Sequence, residues 1–98
     1  MSHRYKSSYI DPDECLVDFL KIDGEEFMRF YYYEYPTRYF ISRHGKVWSE
    51  ISRQFRSSKT GYIVIVVRDR NDDILTISMS IQRMIEETFW FKWKWIKL

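Results

Sequence analysis

Along this 98-residue chain the apolar positions first alternate at a strand period and then change to a helix period. Between Tyr39 and Ser49, two apolar-alternating runs flank His44-Gly45, and a glycine there supplies the positive φ that a two-residue hairpin loop needs. Tyr62 to Val67 is a β-branched run of strand length, bounded by Thr60-Gly61 before and Arg70-Asn71-Asp72-Asp73 after. Ile74 to Met79 predicts the strand that follows. From Ile81 the spacing becomes three and four, at Ile81, Met84, Ile85, Thr88 and Phe89, which marks one face of a helix. In the first of these long strands Tyr62, Val64, Val66 and Arg68 share a face, and Ile63, Ile65, Val67 and Asp69 share the other. In the second, Leu75, Ile77 and Met79 are expected to face the helix, with Thr76 and Ser78 turned away.

The front of the chain predicts a helix over 11–23. Asp11 is a good N-cap, Pro12 is tolerated at the first helical position, and Asp13 and Glu14 suit the helix start. Cys15, Leu16, Phe19 and Leu20 then form a buried stripe, and Asp23-Gly24 closes the helix. Glu25 to Tyr35 alternates loosely and predicts a strand that Pro36 ends. Residues 1–9 are polar and basic and read as a loose arm. At the other end the tail over 90–98 sets Phe91, Trp93 and Trp95 on one side and Lys92 and Lys94 on the other. That is a strand pattern with a charged face and a candidate cover for Val64 and Val66. A second copy of the chain or a protein target would serve as well.

Residues 39–89 resemble the nuclease-associated module found ahead of the HNH motif in phage and intron-encoded homing endonucleases. Its Tyr-x-Val-Ser-x-x-Gly-Arg-Val-x-Ser signature is matched by Tyr39, Ile41, Ser42, Gly45, Lys46, Val47 and Ser49. Its Gly-Tyr strand is matched by Gly61 and Tyr62, and its closing helix by Arg83, Met84, Ile85 and Phe89. Gln82 stands where the family has His, Val64 and Val66 stand where it has polar or basic residues, and no HNH motif follows Phe89. The resemblance implies a DNA-targeting module from a phage or mobile element. A stand-alone copy is also compatible with an effector that inhibits a host defence nuclease, of the anti-CRISPR or anti-restriction type.

Charge changes the picture more than composition does. The net charge of +2 hides eight acids against two bases over 11–34, and eight bases against two acids over 35–70. Phosphate neutralisation is the main source of nucleic-acid affinity, so Arg43, Lys46, Arg53, Arg56, Lys59, Arg68 and Arg70 are the candidate nucleic-acid or partner-binding residues; the alternative is that the acidic front simply packs against the basic middle. Gln54 to Thr60 reads as a basic loop, and its Ser57, Ser58 and Thr60 add hydroxyls suited to phosphate oxygens. The run Tyr31-Tyr32-Tyr33 is a candidate base-stacking platform or a set of cross-strand partners. Tyr62, Val64, Val66, Trp93 and Trp95 form a candidate interface.

One cysteine, Cys15, rules out an internal disulfide and reads as a small buried hydrophobe; a reducing cytoplasm fits. The longest apolar run is too short for a bilayer, and no apolar leader stands at the start. With only His3 and His44, neither at a ligand spacing from a partner, no metal or other cofactor and no enzymatic activity are expected. The expected fold is a single α+β domain: a small antiparallel sheet with the helix from Ile81 to about Phe89 packed on it, and a further helix in front. The expected partner is DNA or a nucleoprotein complex, with a host nuclease or a homodimer as alternatives and no membrane.

Overall fold

The computed structural model describes residue 10 and residues 14–91. Seven antiparallel strands and one C-terminal helical segment make up the fold: β1 (Phe19–Ile22), β2 (Glu25–Tyr32), β3 (Tyr35–Ser42), β4 (Val47–Ser49), β5 (Gln54–Arg56), β6 (Tyr62–Arg68) and β7 (Ile74–Ser80). Helix α1 (Ile81–Ile85) runs directly into a π-helical turn (Glu86–Phe91). Strands β1 to β5 form one sheet in sequence order, and β6 and β7 form a separate two-stranded ribbon. The arm over 1–9, the expected helix start at 11–13 and the tail from Lys92, with Trp93 and Trp95, lie outside the described residues.

The sheet packs one face against the ribbon and the helix. Phe30, Tyr39, Ile41 and Val47 from the sheet meet Ile63, Ile65, Val67 and Met79 from the ribbon, closed by Met84 and Phe89. This is the alternation read from the sequence: Ile63, Ile65 and Val67 are buried, while Thr76 and Ser78 are exposed. Gly45, at φ 87°, lets the β3–β4 loop approach the helix; a Cβ there would stand 3.3 Å from Ile81 Cγ2. Ser80 caps α1 by accepting from the Arg83 N–H at 3.0 Å.

The opposite face of the sheet holds Phe27 and Phe40, both fully buried, around Arg29, which is 1 % exposed. Phe27 on β2 and Phe55 on β5 are separated by two intervening strands, yet their ring centroids lie 5.8 Å apart. Three flat inter-strand spacings would span about 14 Å, so the sheet curls tightly over this face. A bulge in β3 makes the curl: one residue of β2, Phe30, opposes three of β3, Thr37 to Tyr39, between the pairs Arg29↔Phe40 and Tyr31↔Pro36. The bulge leaves the Thr37 carbonyl without a ladder partner, and Arg29 Nη1 donates to it at 2.6 Å.

Four sequence expectations need correction. No helix occupies the described part of 11–23: residues 14–18 have no regular structure, and β1 follows. Asp23 (φ 51°) and Gly24 (φ 82°) form a left-handed hairpin turn, not a helix end, so the apolar residues before them sit in a strand. Cys15 is accordingly exposed, and so is nearly half of Phe19. Pro36 does not end a strand. Tyr33 and Glu34 make the turn, and Tyr35 to Ser42 continue through Pro36. Tyr32↔Tyr35 is the pair that closes this two-residue turn, so Pro36 sits at a position with no bond to β2 and its missing N–H costs nothing. The His44-Gly45 turn is wider than expected: residues 43–46 make the loop, with the Ser42 N–H donating to the Lys46 carbonyl. Gln54 to Arg56, read as part of a basic loop, is strand β5.

Candidate functional site

The basic residues singled out in the sequence fall into three groups. Arg43 and Lys46 occupy the β3–β4 loop. Arg43 stacks its guanidinium 4.5 Å above the Phe89 ring, and Lys46 pairs with Glu25 at 3.1 Å. Lys46 is the main reason the Glu25 carboxyl is held below its ordinary range, against a smaller opposing contribution from burial. An open cleft of about 450 Å³ lies here between the two loops, lined by Asp23, Gly24, Glu25, Glu26, Arg43 and His44. Three carboxylates in its wall make it a poor seat for phosphate.

Arg68 and Arg70 lie at the far end of the ribbon. Arg68 pairs with Asp72 at 2.8 Å and donates to the buried Ile10 carbonyl at 3.1 Å. Arg70 is exposed and lines a second open cleft of about 480 Å³ with Tyr32, Tyr33, Asp69, Asn71 and Leu75. Tyr32 and Tyr33 contact each other edge to face at 4.6 Å, while the Tyr31 hydroxyl donates to Asp18 on the other side of the sheet. The three tyrosines therefore do not form one platform. Burial, with help from the Asp18 bond, pushes the Tyr31 phenol up to about 12.

Arg53, Arg56 and Lys59 form the third group. They belong to a stretch, 51–68, that contains no acidic residue. Two backbone bonds bracket the ribbon: the Ile81 N–H donates to the Gly61 carbonyl, and the Asp69 N–H to the Asp73 carbonyl. With the β6–β7 register, they fix the odd-numbered residues of β6 as the ones bonded to β7. The even-numbered N–H and C=O groups point to the opposite edge, where side chains meet them. Arg56 Nη2 donates to the Val64 carbonyl at 3.0 Å, Ser58 Oγ donates to the Tyr62 carbonyl, and the Val66 N–H donates to the Tyr39 hydroxyl at 3.1 Å.

These bonds pin the basic loop along β6. Beside it Tyr62 is 59 % exposed and Val64 50 % exposed on the outer ribbon face, and Val66 is half-buried. Arg53, at φ 54°, and Lys59 are exposed at either side of β5 and its loop. Phe55 between them is 47 % exposed, with its ring against Trp48 at 5.0 Å. Phe55 was missed in the sequence; an aromatic between Gln54 and Arg56 in a basic stretch was the available signal. Among the described residues, no group of three His, Cys, Asp or Glu side chains is placed to hold a metal ion, and no helix is long and apolar enough to cross a membrane.

Compared with known proteins, the chain matches no family model, no curated protein and no solved structure.

Proposed function

We infer that the chain is a non-catalytic nucleic-acid-binding module that meets its ligand along the loop between β5 and β6. The observation that carries this reading is the acid-free stretch 51–68, held along the β6 edge by Arg56 and Ser58. It combines exposed cations, Arg53 and Lys59, with the half-exposed rings of Phe55 and Tyr62. Cations that track a phosphate backbone beside aromatic faces that accept any base form a sequence-tolerant binding surface. The Arg43, Lys46 and Arg68 side chains are already engaged with Phe89, Glu25 and Asp72, so they contribute less. The resemblance of residues 39–89 to the targeting module of homing endonucleases points the same way.

The test is binding to short single-stranded and duplex DNA as a function of salt. Affinity should fall steeply as salt rises, because each phosphate contact releases counterions. Replacing Arg53 and Lys59 by Ala removes two cations without touching the Arg56 bond to β6. It should weaken binding and reduce the salt slope by roughly 1.8 on duplex DNA. Unchanged affinity in that variant would remove this site assignment.

A second reading is a protein-binding effector, such as an inhibitor of a host nuclease. It is favoured by one observation: Val64, an aliphatic residue, stands half in water between Tyr62 and Val66 on the ribbon face. No binding to either DNA at low salt, together with capture of a host nuclease that Val64→Glu abolishes, would transfer the assignment to this reading.

A further inference from the structure

Strand β7 has one edge bonded to β6 and one edge facing away. Because the odd-numbered residues of the ribbon carry its internal bonds, the N–H and C=O groups of Ile74, Thr76 and Ser78 point along the outer edge. Among the described residues, no strand pairs with that edge. The other exposed edges are blunted: β5 has three residues, and β1 has four, one of them the exposed Lys21. The inner edge of β6 is occupied by Arg56, Ser58 and Tyr39. Strand β7 has none of these devices. Its sequence, Ile-Leu-Thr-Ile-Ser-Met-Ser, is seven residues long with no charge, proline or glycine, and its register with β6 has no bulge. Edges left in that condition pair with another strand.

We propose that the partner is a second copy of this chain, joined β7 to β7 in antiparallel register about a two-fold axis at Ile77. Two observations select this occupant. The edge is self-complementary: an axis at Ile77 sets each Thr76 opposite Ser78 of the other copy, small hydroxyl side chains that are exposed in one chain. An isologous contact of this kind closes on itself, as most soluble oligomers do. The charges at the strand ends also select antiparallel pairing. Asp73 precedes β7 and Arg83, itself paired with Glu87, follows it, so antiparallel copies set this acid near this base at both ends, whereas parallel copies would set like beside like. The result is a four-stranded sheet in the order β6-β7-β7-β6, with a basic loop along each outer edge. The pairing uses backbone groups only and stands independently of the nucleic-acid reading.

Sedimentation equilibrium on the full chain at tens of micromolar should give twice the monomer mass of 12.2 kDa. Thr76→Pro removes an N–H that points away from β6, so it should leave the ribbon folded and return the mass to that of a monomer. Should that variant fail to fold, Ser78→Lys adds a charge to the same edge and should give the same loss of the dimer. The register is tested in a Cys15→Ser background by mixing chains that carry Thr76→Cys with chains that carry Ser78→Cys. The mixture should form a disulfide-linked dimer and neither chain alone should, because only the mixed pair lies within disulfide reach. A full chain that stays monomeric at every concentration would overturn the proposal and leave the edge to its own tail over 92–98 or to another protein. A dimer that Thr76→Pro and Ser78→Lys leave intact, or one without the mixed cross-link, would overturn this interface.

Discussion

Arg29 sits in the middle of the five-stranded sheet with almost none of its surface in water, and Val64 sits in the middle of the β6–β7 ribbon with half of its surface exposed. In the sheet a charge is buried, and it is fully partnered. Its guanidinium donates to the carbonyls of Val17 and Thr37, forms a two-nitrogen contact with Glu50 at 3.2 and 3.3 Å, and lies 4.4 Å from the Phe40 ring. Arg38 extends the network, bridging Glu50 and Glu14 at 3.2 and 3.0 Å. Burial alone would lower the Arg38 guanidinium, but the two carboxylates outweigh it and hold it above its ordinary range. In the ribbon the opposite holds: the outer-edge polar groups of β7 and the outer-face side chains Tyr62 and Val64 of β6 both meet solvent. The sheet has spent its polar groups on its own architecture, and the ribbon has left its surface for something else to meet.

The sharpest way to break this contrast is at Arg29. Arg29→Met keeps the bulk of the side chain but strands the Val17 and Thr37 carbonyls. It should cost about 3–5 kcal/mol in a denaturant melt, the range for breaking a buried ionic network from one side. A cost below about 1 kcal/mol would show that the network adds little and that packing alone holds the curled sheet.

Adjacent residues of β6 sharpen the same comparison. Ile65 is fully buried and Val64 half-exposed, one position apart. Ile65→Ala should destabilise by about 2–5 kcal/mol. Val64→Ala should change stability by less than about 0.5 kcal/mol, as surface substitutions do. Similar losses at both positions would mean that Val64 is covered in solution, by the tail or by a second copy.

Tyr31 carries a smaller effect than Arg29 or Ile65. Its phenol is raised from its ordinary value to about 12, first by burial and then by the bond to Asp18. A folded-state value above the unfolded one means the stabilising contribution is complete below pH 10 and disappears as pH rises through 12. Ultraviolet titration of the folded protein should show a tyrosine ionising near pH 12 that is absent in Tyr31→Phe. Removing that bond should cost roughly 0.5–1.5 kcal/mol at neutral pH.

From Tyr62 onward the described chain was legible in the sequence because each signal there was local and had one reading. Tyr62 to Val67 reads only as a strand, and Ile81, Met84 and Ile85 recur at helix spacing. The front half failed at two short signals that carry two meanings. Asp-Gly ends helices and also closes hairpins, and only the strand pairing of Leu20 with Phe27 selects the second meaning. Pro36 is compatible with a strand only at an unbonded position, and the turn at Tyr33-Glu34 that creates this position contains neither Gly nor Asn. Of the candidate site, the basic residues were legible but their partners were not. Glu25 lies twenty-one residues before Lys46, and Val64 eight after Arg56, and no spacing rule connects them.

The strand order carries a consequence for how the chain finds its shape. Among the described residues, every strand pairs only with its immediate neighbours in sequence, β1 through β5 and then β6 with β7. None of these ladders requires distant segments to search for each other, so loop-closure entropy is paid in small instalments and their topology favours fast folding. The ribbon and the sheet share no ladder; core packing and side-chain latches such as the Tyr39 hydroxyl on the Val66 N–H join them. Strand register is therefore local to each, and the ribbon, a two-stranded hairpin that would be marginal in water by itself, depends on that packing for its stability.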